Sequence, residues 1–594
     1  MYILSGAYPW GIVDYTHFRD FAEQARHEQP LPTNFIYIYT SALLNKTNML
    51  PKLFFVMLFV SLSSVLFAQK TEKLLYHNIK TDKAGNIVSW YDANPGKSFD
   101  HVINSVWNFW DTMRRDYNGI PYYMNHQVWN GNFNDPRGIG GDQFAMALSS
   151  WRLYYPYSGN EKVKINMYFI TDYYLSHGMS PATCKWANLP FPYNCFIYSG
   201  YYDGDMRSGK DILQPDKAGS FGLELLHVYK MSSGYNVPEN KYYLEAAVKI
   251  ANTLCAHIKE GNINYSPLPF KVNAYTGATE LLRYHDFTNT WIDTAGYTTN
   301  WAPTMQLFLD LISMRKGDTA TYRAGFNNLL TWMKTYAMKE NKWGPFFEDV
   351  DWWSETQINA MTFARFIMEH REYFPDWKND VQKIINWVHQ TLGNDNWKKY
   401  GVSVTNEQTI YKMPGESHTS RQGADELLYV SLSGDSTLYN NAVRQLCWAT
   451  YSVDFDGKNR FPGDEPWLTD GYGDYVRHYL RAMDASPVLA PPGQDHILSS
   501  TSVIEQADYA GHLLKFYGLD FENVDSNKVK LYYHTYDTTG MERIRLTKKP
   551  SSILLDYKPL AETKTGEGFE WQPMDSGGLL IVRRLNGSRV VLMK

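Results

Sequence analysis

The sequence predicts a mainly α protein, a closed ring of six helical hairpins followed by a small C-terminal antiparallel β domain. Two observations carry this. Six times along the 594-residue chain, a loop rich in Gly, Asp, Glu and Trp runs into an apolar helical stretch, and each such stretch has a more polar, amphipathic helix as its neighbour in sequence. From Lys528 onward that alternation stops and short β-rich runs take over.

The elements follow in chain order. Lys73 to Trp90 alternates and carries a turn at Ala84-Gly85-Asn86, which predicts a short hairpin leading into the ring. The six apolar stretches begin near Gly141, Ala218, Trp301, Ser354, Arg421 and Gly471. Their spacing of roughly 50 to 80 residues is what a helical hairpin plus a long functional loop requires. A helix that is apolar on most sides must be buried, whereas one with a charged face borders water. The apolar six therefore form an inner ring. The outer ring is expected from Phe99–Arg115, Glu161–Gly178, Lys241–Glu260, Thr319–Glu340, Trp377–Leu392 and Ser436–Tyr451. In Trp377–Leu392 the apolar Val381, Ile384, Ile385 and Val388 recur at three- and four-residue steps, with Lys378, Asp380 and Lys383 opposite. Pro303 suits a first helical turn, and Asp142, Glu355 and Asp425 place negative charge near expected helix N-termini, where capping is their simplest role. Pro487 to Pro492 marks the end of the last hairpin, although Ile497 to Tyr517 keeps helical spacing. The ring domain is accordingly placed at 92–520, after a short segment at 69–91, and the β domain at 521–594. In the tail, Leu585-Asn586-Gly587-Ser588 reads as a hairpin turn between two strands. A structural cap is the simpler role for this domain, and a carbohydrate-binding module the more specific one.

A closed ring of six helical hairpins resembles the (α/α)6 toroid of the six-hairpin glycosidase-like superfamily, which contains glycoside hydrolases and polysaccharide lyases. The resemblance spans roughly Asp92 to Ala485 and rests on hairpin count and on loop-then-inner-helix order. It implies a substrate cleft at the end of the ring where the loops preceding the inner helices converge.

Composition narrows the function. A net charge of -5 gives no electrostatic footprint for nucleic acid or for an anionic membrane surface. Aromatic residues make up 16%, with 19 Trp and 45 Tyr; many pack the core, but Tyr and Trp also suit stacking on sugar rings. Four cysteines do not make a disulfide scaffold. Cys184 and Cys195 flank a proline-rich loop and are candidates to pair, while Cys255 and Cys447 read as small core residues. The Asp203-Gly-Asp205 run with Gly209 and Asp211 superficially resembles a calcium loop, but its glycine is one place out of register and the terminal Glu is missing. No cofactor and no metal are expected.

Met49 to Lys52, followed by the mostly apolar Leu53 to Phe67 and a small residue at Ala68, reads as a secretory signal peptide, too short to span a bilayer. Residues 1–48 then read as an upstream extension ahead of the true start. The mature chain is expected to be secreted or periplasmic, without an integral membrane segment.

The chemistry must come from the loops. Glycosidic hydrolysis needs one protonated carboxyl to donate to the leaving oxygen and a second, ionised one as base or nucleophile. The segment from Gly344 to Glu355 sets Glu348, Asp349 and Asp351 among aromatics directly before an inner helix, and an aromatic, partly dry setting raises an acid's pKa. Asp142, Glu416 and Asp470 each precede or open an inner helix and complete the catalytic candidates. Trp129, Trp352, Trp353, Trp467, His418, Arg421 and Tyr472 are the candidates for holding an oligo- or polysaccharide. A lyase is the alternative. It would take a base such as His418 or Tyr472 to remove the proton beside a uronate carboxylate, with Arg421 stabilising the charge. A glycan-binding protein without turnover is the third reading.

Overall fold

The computed structural model describes residues 72–112, 116–117, 120–121, 141–195, 201–205, 208–232, 240–285, 290–347, 353–460, 472–511 and 525–594. The expected upstream extension (1–48) and signal peptide (49–68) lie outside them. Among the described residues, no helix is long and apolar enough to cross a membrane.

The chain folds as an (α/α)6 toroid. Its inner ring is made of α2 (Gly141–Ser158), α4 (Pro215–Ser232), α6 (Ala302–Ser313), α8 (Gln357–Glu369), α10 (Glu416–Ser433) and α12 (Tyr472–Ala485), and its outer ring of α1 (Pro95–Thr112), α3 (Glu161–His177), α5 (Lys241–His257), α7 (Thr319–Trp332), α9 (Trp377–Leu392) and α11 (Tyr439–Ala449). Each inner helix packs on the next and α12 returns to α2, which closes the ring. The outer helices show why this order arises. α9 buries Val381, Ile384, Ile385, Val388 and Leu392 along one stripe and leaves its charged face to water. α10, by contrast, is buried continuously from Glu416 to Leu427, polar residues included, because its surroundings are other helices. Gly219 sits where α4 and α6 touch, and a Cβ there would collide with Thr304.

Polar side chains fix the ends of several outer helices. Asn160 accepts from the Lys162 amide, Asn240 from Tyr242 and Asp318 from Thr321. Pro303 opens α6 as expected. Asp425, however, lies inside α10, which starts nine residues earlier at Glu416, and it pairs with Arg365 instead of capping. Glu355 precedes α8 but does not cap it. One of its oxygens accepts from the Trp343 and Gly344 amides, and the other from Trp353 Nε1.

Ahead of the ring, Lys73–Leu74 pairs with His77–Asn78 and Lys80–Thr81 with Ile87–Val88. The turn of the second pair is held by Asp82 Oδ1, which accepts from the Ala84 and Asn86 amides around Gly85 at φ 83°. No disulfide joins the four cysteines, so the pairing of Cys184 with Cys195 is not made; Cys184 is buried, and Cys195 Sγ lies 3.5 Å from the Asp205 carbonyl.

The β domain is a sandwich of two antiparallel sheets. Its strands are β1 (His496–Ser500), β2 (Ile504–Tyr509), β3 (Val529–Thr535), β4 (Gly540–Leu546), β5 (Ile553–Leu555), β6 (Lys558–Pro559), β7 (Gly568–Pro573), β8 (Gly578–Arg584) and β9 (Arg589–Met593), in sheet orders β1-β4-β8-β7 and β2-β3-β9-β5-β6. Inward residues of both sheets, among them Ile497, Leu531, Ile544, Leu580 and Val590, make one core. Two expectations are corrected here. The described part of 497–517 is strand, not helix: its apolar residues meet the facing sheet, and its backbone pairs with β3 and β4. Leu585 to Ser588 is not a hairpin turn, because β8 and β9 belong to different sheets; Glu567 and Asp556 carboxylates take the backbone amides of Leu585, Asn586 and Ser588 that a hairpin ladder would use. The sandwich is joined to the ring through α2. His496 stacks on Tyr157 at 3.8 Å, and Tyr509 donates to the Pro156 carbonyl at 2.7 Å.

Candidate functional site

Among the described residues, the first turns of α4 and α10 and the loops before α6 and α8 supply the candidate site, at the N-terminal ends of inner helices. Asp216 and Lys217 open α4 and are both buried. Lys217 Nζ lies 3.0 Å from Asp216 Oδ2, donates to the Phe346 carbonyl at 2.9 Å and sits over the Phe346 ring. Asn300, from the loop before α6, donates to the same Asp216 oxygen at 3.0 Å. Asp216 Oδ1 is buried without a hydrogen-bond partner.

Across the ring, α10 contributes three of its first six residues. Glu416 is buried and its Oε1 accepts from Asn459 Nδ2 at 2.9 Å. His418 is buried against the Phe347 ring, and neither of its ring nitrogens has a hydrogen-bond partner. Burial, reinforced by the neighbouring Arg421 guanidinium, holds its pKa well below the ordinary value, so the imidazole is neutral. Arg421 is anchored on three sides, by Gln357 Oε1 at 3.0 Å, Ser417 Oγ at 3.2 Å and Asp474 Oδ2 at 2.7 Å. Burial lowers its pKa to about 10, which leaves it charged at neutral pH. Asp474, on α12, also accepts from Ser417 and pairs with Arg477. Its carboxylate is thereby committed to two guanidiniums.

The sequence-derived candidates divide accordingly. Glu416, His418 and Arg421 are all buried in the first two turns of α10. Trp353 stands in the loop before α8, pinned by its Nε1 hydrogen bond to Glu355 at 2.7 Å and packed 5.1 Å from the Tyr297 ring. Asp142 and Tyr472 fall in the first turns of α2 and α12, with side chains outside the described residues. Glu348, Asp349, Asp351, Asp470, Trp129, Trp352 and Trp467 lie outside the described residues altogether. Sequence reasoning passed over Asp216, Lys217 and Asn300. Their signal was present: two adjacent opposite charges after Pro215, at the same loop-to-inner-helix junction as the other candidates.

The residues resembling a calcium loop do not fit a cation. Asp205 is fully buried and already paired with Lys271 Nζ at 3.0 Å, and it accepts further hydrogen bonds from Gln214 and the Ser208 amide. No cluster of potential metal ligands occurs among the described residues.

No protein-family model and no curated protein matches the chain. Among solved structures, the chain is similar to a sugar epimerase from a ruminal bacterium at 12% identity, covering 66% of this chain and 98% of that one with a TM-score of 0.46. It is also similar to a family 76 glycoside hydrolase from a bovine Bacteroides thetaiotaomicron strain at 11% identity, covering 65% and 77% with a TM-score of 0.43. A glycosyl hydrolase of family 88 from Bacteroides vulgatus matches at 10% identity, covering 66% and 99% with a TM-score of 0.40.

Proposed function

We propose that this chain is a carbohydrate-active enzyme that hydrolyses a glycosidic bond in the mouth of the toroid. One carboxylate of the Glu348 to Asp351 loop acts with a second from the converging loops, for which Glu416 is the first choice and Asp142 and Asp470 the others. Asp216 and His418 hold sugar hydroxyls. The observation that carries this reading is the set of buried polar atoms on the floor with no protein partner: Asp216 Oδ1 and both nitrogens of His418. Leaving such an atom unpaired costs about 1–3 kcal/mol. These three atoms, with Phe346 against Lys217 and Phe347 against His418, fit a site completed by a ligand that both donates and accepts hydrogen bonds and offers apolar ring faces. The expected signal peptide, if cleaved after Ala68, would deliver the enzyme to secreted or periplasmic glycans.

The neutral His418 is the one feature that favours elimination on a uronic-acid glycan, since an unpartnered neutral imidazole can take a proton. Against this, Arg421 is already held by Asp474 and is less able to serve a substrate carboxylate. The test is incubation of the chain from Gln69 with neutral and uronic-acid glycans, read for both reducing ends and ultraviolet absorbance. New reducing ends without absorbance are expected. An absorbing unsaturated product would replace hydrolysis by elimination, and binding without any product would leave a glycan-binding protein.

A further inference from the structure

Beneath the floor of the mouth, the bore of the toroid holds a cavity of about 640 Å³. The C-terminal halves of the inner helices and the sandwich segment 499–503 line its far part. Glu369 and Thr501, both exposed, stand at that end, so the cavity meets solvent opposite the mouth.

Five arginines line it: Arg152 on α2, Arg365 on α8, Arg421 on α10, and Arg477 and Arg481 on α12. Three are closely paired with protein carboxylates, Arg421 through Asp474. Arg365 donates to Asp425 at 2.7 Å and to Glu369 at 3.1 Å, and Arg477 pairs with Asp474 and donates to Ser149 Oγ at 2.6 Å. The other two are held less closely. Arg152 Nε lies 3.6 Å from Glu224 Oε2, an ion pair outside hydrogen-bond reach, and is buried without a hydrogen-bond partner. Arg481 makes no hydrogen bond and no ion pair among the described residues. The acids nearby are already engaged, Asp484 by Ser499 and Arg543, Asp310 by Gln306, and Glu224 by His227.

We propose that this cavity is an oxyanion-binding site in which Arg481 and Arg152 grip a carboxylate or phosphate group entering from the sandwich side. A guanidinium presents five N–H donors in a planar fork that matches either group, and these two spend almost none of theirs on the protein. The electrostatics agree. Burial and the like charges of Arg365 and Arg152 pull the Arg481 pKa down to about 10, although Glu369 and Asp425 offset part of this; an anion between the guanidiniums relieves that repulsion. The cavity reaches up to Lys217, Asn300, Phe346 and Arg421 of the mouth, but Arg152 and Arg481 lie in the C-terminal halves of α2 and α12, and the proposal does not depend on which reaction occurs in the mouth.

Calorimetric titration of the intact chain at fixed ionic strength, with inorganic phosphate and separately with glucuronate, tests this. One-to-one binding of at least one probe is expected, weakened about tenfold or more by Arg481→Met and partly restored in Arg481→Lys. Binding of phosphate alone identifies a free phosphate or phosphoryl group as the occupant, and binding of glucuronate alone a carboxylate. Arg481→Met should unfold at the wild-type temperature or above, since no protein partner is lost, and His418→Asn in the mouth should keep full anion affinity. The proposal is overturned if neither probe binds, if Arg481→Met binds as wild type does, or if the affinity is lost in His418→Asn instead.

Discussion

Arg584 in the sandwich and Arg481 in the bore of the toroid are two arginines in protein interiors, and they differ in nearly every respect that physics measures. Arg584 is fully buried, forms a two-pronged pair with Glu542 at 2.8 and 2.9 Å, and donates to the Asp537 and Gly587 carbonyls at 2.7 Å each. Burial alone would lower its pKa, yet the Glu542 hydrogen bonds and charge more than compensate and hold it above the ordinary value. Arg481 has no such partner, and its pKa moves the other way. The comparison teaches how to separate structure from function among buried charges. A charge whose every donor is spent on protein holds the fold together, and a charge left short of partners marks a place where something else must bind.

Breaking the satisfied pair should have the largest effect. Glu542→Ala leaves a buried guanidinium without its counter-charge and also removes the acceptor of Tyr533 and Ser500; about 3–5 kcal/mol of stability is expected to be lost in denaturant unfolding. The double variant Glu542→Met with Arg584→Met should recover much of it, because two apolar side chains of similar volume avoid the desolvation of both ions. A single variant as stable as wild type would mean that the pair contributes nothing and that the contrast with Arg481 is false. In the mouth the expected signature is reversed. Glu416→Gln should lower glycan turnover by about 10²-fold or more while leaving the unfolding midpoint close to that of wild type. A loss of stability with turnover per folded molecule intact would make Glu416 a structural partner of Asn459.

A smaller effect should appear in the pH dependence of stability. His418 and His478 are buried and His227 largely so, and for each of them burial is the first cause of a pKa below the ordinary 6.5; nearby arginines add to it in all three. In the unfolded chain they take up protons as pH falls through about 6.5, whereas in the folded chain they remain neutral to lower pH. The unfolded state then binds more protons, so stability is full above that pH and declines below it. His389 runs against this trend, since the Glu426 carboxylate outweighs burial and raises its pKa; its contribution is present at low pH and fades as pH rises. His418→Asn should flatten the acid limb of the stability curve by at most about 1.4 kcal/mol per pH unit. An unchanged slope would show that His418 is charged in the folded protein.

The same contrast explains what the sequence disclosed. Helix count, ring order and the buried stripe of α9 were legible because the apolar repeat at three- and four-residue steps reports directly which face leaves water. The β-rich tail was legible in the same way through its runs of Ile, Leu and Val. The strands at 496–509 were not, because a short segment with apolar residues at irregular steps fits either period until a facing sheet is present. The turn at Leu585 to Ser588 has the residues of a hairpin, but Glu567 and Asp556, distant or unremarkable in sequence, compete for its amides. For the candidate site, Glu416, His418 and Arg421 stood out because they crowd into one loop-to-helix junction. Asp216 was hidden by its neighbour, since an adjacent Asp and Lys look like a solvated pair in one dimension. Arg481 was invisible for a different reason: lacking a partner is a three-dimensional fact, and no spacing rule announces it.

An exposed pair supplies the lower limit of the comparison. Lys399 Nζ lies 2.5 Å from Glu72 Oε2, geometry as close as that of Arg584 with Glu542, but both side chains are roughly half exposed. Water solvates these ions whether or not they meet, and salt screens what attraction remains. Tyr400 also donates to the same oxygen at 2.6 Å, so Glu72 keeps an acceptor role after the ammonium is gone. Lys399→Ala is therefore expected to leave the unfolding midpoint unchanged at moderate salt. A clear drop would mean that distance alone sets the worth of a charge pair in this protein, and the weight placed here on burial and on unspent donors would have to be given up.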